Sequence, residues 1–571
     1  MRKKWGNRIG AIVLACALTM NGLPVQSISA STQKAYAAAK SETGKQDVSQ
    51  PETKMGNVVL DGNDIAVNNV NGLTYKGFGM LSGNSTSDLL MDYKAEQPKA
   101  YAELMQYLFG GNYPIMNHVK LEMGNDRNTS TGPESCTKRT EKEKANVLRN
   151  PGWQLAADAR KINPKIKVSI LRWEAPVWAG TDEKIYQWYK ETILDAYEKY
   201  GYMVDYINPN INEKWDVDSD VAFTKKFAKW IAAETKETIP DEKALALYHK
   251  IKLVVSDEAG TASDSVVESM KSDSDFYNSV DVVGYHYSPW DDSNGGMKWL
   301  AQTKDKEVWN SEAQAAFSNS AFRPANNVKD PTTEGTGLGG TGSALEMANT
   351  FIKGFVQSRR SHVIYQPAIG SFYEGAQFSF KELVSARDPW SGWIHYDAGL
   401  LMLAHISKFA VTGWENEDNT VGIWRAVPQA SKCTADGTNP VNGRNGGENY
   451  MTLASPAKDN FSTMIVNDSE YPMEYKIQTK NMKLAEDQNL EIWETRAADD
   501  GAFNENYMKC IGTAKADDNG VYTVKVKPYS AVTVTTLQVA DDEEHTKTLP
   551  VEGERTVLDT DRTGSKQDVE S

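Results

Sequence analysis

The sequence predicts an α/β fold in which a (β/α)8 barrel is followed by a β-sandwich domain. Between residues 73 and 413, short β-rich runs alternate with amphipathic helical stretches, the order that builds a parallel sheet with helices outside it. From Trp414 onward the apolar period changes to two, and turn residues separate the short runs. That second pattern is typical of antiparallel sheets packed face to face.

Eight β-rich runs are predicted as the barrel strands. They cover residues 73–81, 115–123, 168–173, 204–211, 251–256, 280–287, 307–312 and 362–369. Between them lie helical stretches with one apolar face, such as the one that carries Trp188, Tyr189 and Ile193. Eight such units in one stretch favour a closed barrel over an open sheet.

The predicted organisation has six segments. These are a signal peptide over 1–37, a polar linker over 38–56, a strand over 57–72 that joins the sandwich, the barrel over 73–413, the sandwich over 414–540, and a charged disordered tail over 541–571. The first segment has a basic start, an apolar run over 9–20 and the small-residue cleavage site Ala35-Tyr36-Ala37. Because that run is shorter than the roughly 20 apolar residues that span a bilayer, we expect a secreted protein without stable membrane insertion.

Composition excludes several classes of ligand. The formal net charge of -15 argues against nucleic-acid binding, which needs a surplus of Lys and Arg to displace phosphate counterions. No CxxC or HExxH spacing is present, so we expect no metal and no cofactor. The 15 Trp and 25 Tyr residues suit an uncharged ligand such as a sugar, although such rings also fill cores.

Carboxylates recur where the predicted barrel strands end, which is where barrel enzymes place their catalytic groups. They are Glu122, Glu174, Glu213, Asp257, Glu258 and Glu312. The fourth and seventh strands lie across the barrel mouth from each other, so Glu213 and Glu312 can converge on one bond. We predict Glu213 as general acid/base, in a less polar or like-charged environment, and Glu312 as a nucleophile held ionised by hydrogen bonds.

Eight runs in the chain resemble, in order, segments of the galactosylceramidase family of glycoside hydrolases. The runs are "GFGMLSG", "VKLEMGNDRNTSTGPES", "SILRWEAPVWAG", "DYINPNINE", "LVVSDEA", "VDVVGYHY", "VWNSEA" and "DPWSGW". The resemblance covers roughly residues 73–414 and is weak beyond them. No counterpart of the family's C-terminal lectin-like domain follows residue 537, so lipid presentation by such a domain is not expected.

The resemblance implies a retaining, exo-acting β-galactosidase whose substrate is a carbohydrate or glycolipid with a terminal β-galactose. It assigns acid/base and nucleophile to Glu213 and Glu312. It also implies six substrate-binding residues: Asn212, Trp173, Thr129, His286, Tyr287 and Trp390. Among these, the Tyr287 hydroxyl is expected to hold a carboxylate in its attacking position.

Two alternatives remain open at this point. The same barrel and carboxylate pair would serve a retaining β-glucosidase, β-xylosidase or endo-galactanase. A protein from another class, a non-catalytic carbohydrate-binding surface protein, would use the sandwich for binding and keep an inert barrel. Two intact carboxylates speak against that second alternative, because binding alone does not require both.

Overall fold

The computed structural model describes ten stretches of the chain. They are residues 51–84, 86–128, 132–259, 261–287, 295–314, 343–370, 382–415, 422–434, 446–496 and 506–556. The predicted signal peptide and most of the predicted linker lie outside these residues, as do Thr129 and residues 557–571.

Eight parallel strands close into a barrel, which confirms the predicted fold class. One strand, β1 (Lys54–Asp61), precedes them. The barrel strands are β2 (Gly77–Ser82), β3 (His118–Glu122), β4 (Lys167–Arg172), β5 (Tyr206–Ile211), β6 (Lys252–Glu258), β7 (Val282–Tyr285), β8 (Glu307–Ala313) and β9 (His362–Tyr365). β2 pairs with β9 to complete the ring. The first strand begins later than predicted because residues before it bond elsewhere, as when the Tyr75 N–H donates to the Trp424 carbonyl.

The helices of the described residues lie mostly between barrel strands. They are Asp88–Glu96, Pro98–Phe109, Pro151–Ile162, Asp182–Tyr200, Val217–Ala233, Glu242–Tyr248, Thr261–Ser272, Ser274–Ser279, Gly296–Thr303, Ala344–Ser358, Gly399–Ser407 and Glu543–Thr546. Asp182–Tyr200 shows the local logic: the Thr181 side chain accepts the Lys184 N–H at its start, and Gly201 ends it with a φ of 76°. Within the described residues, none of these helices has the length and apolarity needed to cross a membrane.

Two further sheets follow the barrel in the chain. The seven-stranded sheet contains β13 (Arg425–Ala426), β14 (Lys432–Cys433), β15 (Asn449–Ala454), β16 (Phe461–Asn467), β18 (Leu490–Arg496), β19 (Asn506–Ala514) and β21 (Ser530–Thr535). The other consists of β1, β17 (Met473–Lys480) and β20 (Val521–Val526), with β1 parallel to β17. Alternate residues of β17 are buried, among them Tyr475 and Ile477, and they join Val58, Phe461 and Val532 in one apolar cluster. The two sheets therefore share a core.

A small sheet of β10 (Ile369–Gly370), β11 (Val384–Asp388) and β12 (Trp393–Tyr396) lies after the last barrel strand in the sequence. Its buried β11 carries Arg387, which pairs with Glu382 at 2.7 Å.

The prediction of a disordered tail from residue 541 is wrong for residues 541–556. His545 is buried and its Nε2 lies 2.7 Å from the Lys408 carbonyl. The Tyr107 hydroxyl donates to the Thr548 carbonyl at 2.7 Å, and Arg555 pairs with Asp388 at 2.8 Å. The charged residues that suggested disorder instead form contacts with residues of the predicted barrel segment, such as the pair of Arg555 with Asp388.

Candidate active site

Glu213 and Glu312 meet at the carboxyl end of the barrel. Glu213 lies shortly after the end of β5, and Glu312 is the second-last residue of β8. One oxygen of each carboxylate and one ring nitrogen of His286 all lie within 4.8 Å of one another. The Glu213 side chain is 39% exposed, whereas that of Glu312 is 4% exposed. The pair is thus closer than the roughly 6.5–9.5 Å that leaves room for a water between two carboxyl groups.

Backbone hydrogen bonds beyond the strand ends hold these residues in place. The Glu213 N–H donates to the Asp257 carbonyl at 3.1 Å, and the Tyr287 N–H donates to the Glu312 carbonyl at 2.9 Å. Glu213, Asp257 and Tyr287 have φ values of 57°, 48° and 58°, in the left-handed region that non-glycine residues rarely adopt. Such backbone strain is concentrated at functional sites, where the surrounding structure compensates for it.

His286 connects the carboxylates from behind. Its Nδ1 lies 3.2 Å from Glu213 Oε1 and 3.9 Å from Glu312 Oε2, and its Nε2 lies 3.4 Å from Asp257 Oδ1. Burial opposes a charge on the ring, but the charge of Glu312, followed by Asp257 and Glu213, outweighs it and raises the pKa of His286 to about 9. The ring is therefore an imidazolium at neutral pH, with both N–H groups directed at carboxylates.

Asp257 anchors His286 from inside the barrel. It accepts hydrogen bonds from Lys120 Nζ at 3.1 Å and from Asn208 Nδ2 at 2.8 Å. Burial disfavours its charge, but Lys120 and then His286 overcome that penalty and hold the pKa of Asp257 well below its usual range. Gly284 makes room for this arrangement, since a Cβ there would lie 2.4 Å from Asp257 Oδ1 and 2.3 Å from Ser311 Oγ.

The ionisation of the pair Glu213 and Glu312 differs from the sequence expectation. Burial works against the charge of Glu213, but its hydrogen bond to His286 and the charge of that ring prevail and lower the pKa of Glu213. Burial raises the pKa of Glu312, and repulsion from Glu213 adds to the rise against the attraction of His286. The two carboxylates are close enough to titrate together, so proton and charge are shared within the group of three residues.

Tyr287 and Asn212 lie where the sequence places them, next to the two carboxylates. The Tyr287 hydroxyl donates to Glu312 Oε1 at 2.5 Å. Asn212 is buried beside Glu213, and among the described residues neither its amide nitrogen nor its amide oxygen has a hydrogen-bond partner. A buried amide without partners is costly, so this side chain is suited to bind a polar group of a ligand.

The other predicted substrate-binding residues have different outcomes. Trp173 is half-buried directly after β4, next to Gly83 and Glu122. His286 is fully buried, and its ring nitrogens lie near the carboxylates of Glu213 and Asp257. The described contacts of Trp390 are with Gln97 and with the Thr556 carbonyl, which accepts from its indole N–H at 2.7 Å. These contacts do not include the carboxylates, and Thr129 lies outside the described residues.

Sequence reasoning did not select the residues beneath the pair. Lys120, Asn208 and Gly284 lie in the middle of apolar runs, and Asp257 stood out only as one of several carboxylates at strand ends. Two residues could have pointed to this region: Lys120, a lysine inside a buried strand, and Gly284, a glycine inside another. Both residue types are unusual in a buried strand and usually have a specific role there.

A metal ion is a further use to consider for Glu213, His286 and Glu312, whose ligand atoms cluster within 4.8 Å. A histidine binds a metal through a neutral ring nitrogen. Here both ring nitrogens face carboxylates and the pKa of His286 is raised to about 9, so a metal ion would have to displace a proton from the ring. The trio is therefore better suited to proton chemistry.

Below Asp257 the barrel interior is aromatic and neutral. His118 Nδ1 lies 2.8 Å from His362 Nε2, and the two rings stack with centroids 5.0 Å apart. The chain of hydrogen bonds continues from His118 Nε2 to Ser169 Oγ at 2.7 Å and from His362 Nδ1 to the Gly77 carbonyl at 2.9 Å. Burial lowers the pKa of His362 to about 3 and that of His118 well below its ordinary value.

A closed parallel barrel with two convergent carboxylates at its carboxyl end is an arrangement that glycoside hydrolases use. The family model of glycosyl hydrolase family 59 matches residues 75–408, more than half of the chain. The chain belongs to that family.

Individual relatives agree with this assignment. The chain is 25% identical over 357 residues to galactocerebrosidase of Danio rerio, covering 60% of this chain and 46% of that protein. It is 26% identical over 350 residues to galactocerebrosidase of Homo sapiens, covering 60% and 44%. The chain thus spans about half the length of the curated relatives it matches.

Solved structures with low sequence identity share the fold. SrfJ from Salmonella typhimurium has a TM-score of 0.56 at 12% identity, covering 86% of this chain and 94% of that one. The catalytic domain of a GH30 xylanase C from Talaromyces cellulolyticus has a TM-score of 0.54 at 12% identity, covering 84% and 99%. At that identity the similarity concerns the fold alone.

Proposed function

We propose that the protein is a secreted, retaining exo-β-galactosidase that hydrolyses terminal β-galactosides of a carbohydrate or glycolipid. The observation that carries the proposal is the approach of Glu213 and Glu312 oxygens to within 4.8 Å. Retaining glycosidases hold their carboxyl groups about 5–5.5 Å apart, because the nucleophile attacks the anomeric carbon directly. The galactose specificity is supported by the relatives named galactocerebrosidase.

In the first step a Glu312 oxygen attacks the anomeric carbon and forms a glycosyl ester. The bond from that carbon to the leaving oxygen breaks, and Glu213 gives its proton to this oxygen. In the second step Glu213, now ionised, takes a proton from water, and the water oxygen displaces Glu312 from the anomeric carbon. Two displacements leave the product with the β configuration of the substrate.

His286 is proposed to store the proton that Glu213 needs. The Nδ1 proton lies on a hydrogen bond of 3.2 Å to Glu213 Oε1, so its transfer gives a protonated acid and a neutral ring. The remaining Nε2 proton stays directed at Asp257, 3.4 Å away. In the state after this transfer Glu213 is protonated, His286 is neutral and Glu312 stays ionised, and the three residues together hold as many protons as before. Glu213 can therefore act as an acid even though its own pKa is lowered.

Asn212 and Trp173 are proposed to hold the sugar. The unpartnered Asn212 amide beside Glu213 can donate to the 2-hydroxyl, a contact that strengthens in the transition state. Trp173 offers a half-buried ring at the same end of the barrel. Export is proposed from the N-terminal segment alone, and detection of the processed chain in culture medium would test it.

The function is tested by hydrolysis of aryl β-galactoside, β-glucoside and β-xyloside by the purified wild type and by Glu213→Gln and Glu312→Gln. We expect release from the β-galactoside, loss in both variants, and β-galactose as the first product in a time-resolved NMR spectrum. Preference for another sugar would retain the mechanism and reject the galactose assignment. A first product of α configuration would contradict retention, and inactivity on every glycoside would favour a binding protein.

A further inference from the structure

A carboxylate that the proposed reaction does not use lies at the same end of the barrel. Glu258 is the last residue of β6, directly after Asp257, and is 7% exposed. Its Oε1 accepts the backbone N–H of Trp215 at 2.5 Å, and its own carbonyl accepts the N–H of His286 at 2.8 Å. Glu258 therefore connects the part of the chain that follows Glu213 with the part that carries His286.

Segment 212–216 joins β5 to the next helix and contains the proposed acid/base, Glu213. The segment forms neither helix nor strand, so its backbone N–H groups need partners outside regular hydrogen-bond ladders. The Glu213 N–H donates to the Asp257 carbonyl at 3.1 Å, whereas the Trp215 N–H two residues later donates to the Glu258 side chain. Two consecutive residues of β6 thus hold this segment at two points.

The side chain of Trp215 fixes the same part of the segment from another direction. Its half-buried ring lies next to buried Phe276, with centroids 6.1 Å apart, and packs against the apolar cluster that contains Val255. Packing holds the ring while Glu258 holds the backbone N–H, so both restrict where Glu213 can lie. This restriction matters because a general acid must lie within hydrogen-bond distance of the oxygen that it protonates.

The carboxyl group of Glu258 is in an unusual environment. Burial raises the pKa of Glu258 to about 7, and the charges of Glu213 and Asp257 add to the rise against the Trp215 N–H and the charge of His286. Perturbed carboxyl groups of this kind are concentrated at functional sites. A protonated carboxyl still accepts an N–H through its carbonyl oxygen, so the contact with Trp215 is possible on both sides of this pKa.

We propose that Glu258 is a positioning residue for the acid/base, which it holds in place through the Trp215 N–H. The inference rests on the proposed function, because Glu258 acts only on the proton transfers that Glu213 performs. Without the Glu258 oxygen, segment 212–216 would reach positions in which Glu213 lies too far from the leaving oxygen. Proton donation would then suffer, whereas attack by Glu312 would not.

Leaving-group dependence separates this role from a general loss of stability. We would measure kcat/KM for phenyl β-galactoside, whose leaving group needs a proton, and for 2,4-dinitrophenyl β-galactoside, whose leaving group departs as an anion. In Glu258→Ala, kcat/KM should fall about 10–100-fold for the first substrate and stay within about threefold for the second. Glu258→Gln keeps an acceptor oxygen, so its kcat/KM should stay within about threefold of wild type for both.

Two further variants provide the controls. Glu213→Gln should show the same leaving-group dependence more strongly, because it lacks the acid itself. Glu491 is a buried carboxylate of β18 that accepts the Val539 N–H at 3.0 Å and the Ala540 N–H at 3.1 Å, so Glu491→Ala should affect both substrates equally. If Glu213→Gln shows the dependence and Glu258→Ala does not, the inference is overturned and the proposed function stands.

Hydrogen exchange measured by mass spectrometry tests the contact without any substrate. Peptides that contain residues 212–216 should exchange faster in Glu258→Ala than in wild type, Glu258→Gln or Glu491→Ala. Unchanged exchange in Glu258→Ala would overturn the inference whatever sugar the protein hydrolyses. Inactivity of the wild type on every glycoside would instead reject the proposed function, and with it the role of Glu258 in proton transfer.

Discussion

Three fully buried histidines on the barrel strands, or directly after one, differ in protonation. His286 is positively charged at neutral pH, whereas His118 and His362 are neutral. His286 at the mouth contacts two carboxylates, and its pKa is raised to about 9. His118 and His362 contact each other, aromatic rings and neutral oxygen atoms, and the pKa of His362 is lowered to about 3. Burial acts in the same direction on all three rings. The neighbours therefore decide which histidine is protonated at neutral pH and which ones are neutral.

Replacing the charged histidine should have the largest effect. His286→Gln loses the proton next to Glu213 and the positive charge between the carboxylates, so kcat should fall by about 10²–10⁴, the usual contribution of acid–base groups. Steady-state kinetics of variants with native circular dichroism would measure this. The matched change in the neutral pair, His362→Gln, should leave kcat within a few-fold of wild type. Similar losses in both variants would contradict the division of roles.

Removing the anchor of the charged histidine should change its pKa. Asp257→Asn takes away one of the carboxylates that raise the pKa of His286, so the imidazolium should persist only to a lower pH. We expect the alkaline limb of kcat/KM to move to lower pH by about one unit or more, the usual effect of one nearby opposite charge. Rates measured from pH 5 to pH 10 would show it. An unshifted limb would mean that His286 does not control activity at alkaline pH.

Substitution of two glycines compares the surroundings of His286 with those of His118, because Gly284 lies against Asp257 and Gly79 against His118. Gly284→Ala would place a Cβ 2.4 Å from Asp257 Oδ1, and Gly79→Ala would place one 2.8 Å from His118 Cβ. Both substitutions should destabilise the fold through overpacking, by about 1–3 kcal/mol. Gly284→Ala alone should also lower kcat, by about tenfold, because a shift of about 1 Å in a supporting residue is costly. Equal kcat values for the two variants would show that the position of Asp257 is unimportant.

The smallest expected effect concerns stability as a function of pH. The folded state disfavours protonation of His118 and His362, so their contribution to stability is present above about pH 6.5 and is lost as pH falls below it, toward about 3 in the case of His362. The folded state favours protonated His286, so its contribution is present below about pH 6.5 and is lost as pH rises through about 9. Urea unfolding at pH 5, 7 and 9 would measure both.

In that experiment His286→Gln should flatten the alkaline side of the stability curve and His118→Gln/His362→Gln the acid side. Each group changes the unfolding free energy by about 1.4 kcal/mol per pH unit within its window. The opposite pattern would reverse the assignment of charge to the two regions.

The barrel was predictable because its signals are local. Alternating strands and amphipathic helices, and the carboxylates that follow strand ends, depend only on neighbouring residues in the chain. Glu213 and Glu312 could be paired because a closed barrel fixes which strand ends face each other. The predictions for Asn212 and Trp390 rest on the family resemblance, and the former lies beside Glu213.

The charge arrangement beneath the pair was not predictable in the same way. The Lys120 to Asp257 contact joins residues 137 positions apart, and nothing near either residue in the sequence announces it. The same limit applies to the ordered segment 541–556. Its charged composition predicts disorder, but in the fold Glu544 pairs with Lys408 and Arg555 pairs with Asp388, which are distant in the sequence. Environment, and hence pKa, depends on such distant contacts.

The most direct test of the two roles is azide rescue of both carboxylate variants on an activated aryl β-galactoside. Glu312→Gly should yield α-galactosyl azide, because azide attacks from the position that the nucleophile vacates. Glu213→Gly should yield β-galactosyl azide, because azide replaces water in the second displacement. These two products would establish Glu312 as nucleophile and Glu213 as acid/base. The reverse pair of anomers, or an absence of rescue in both variants, would contradict the account.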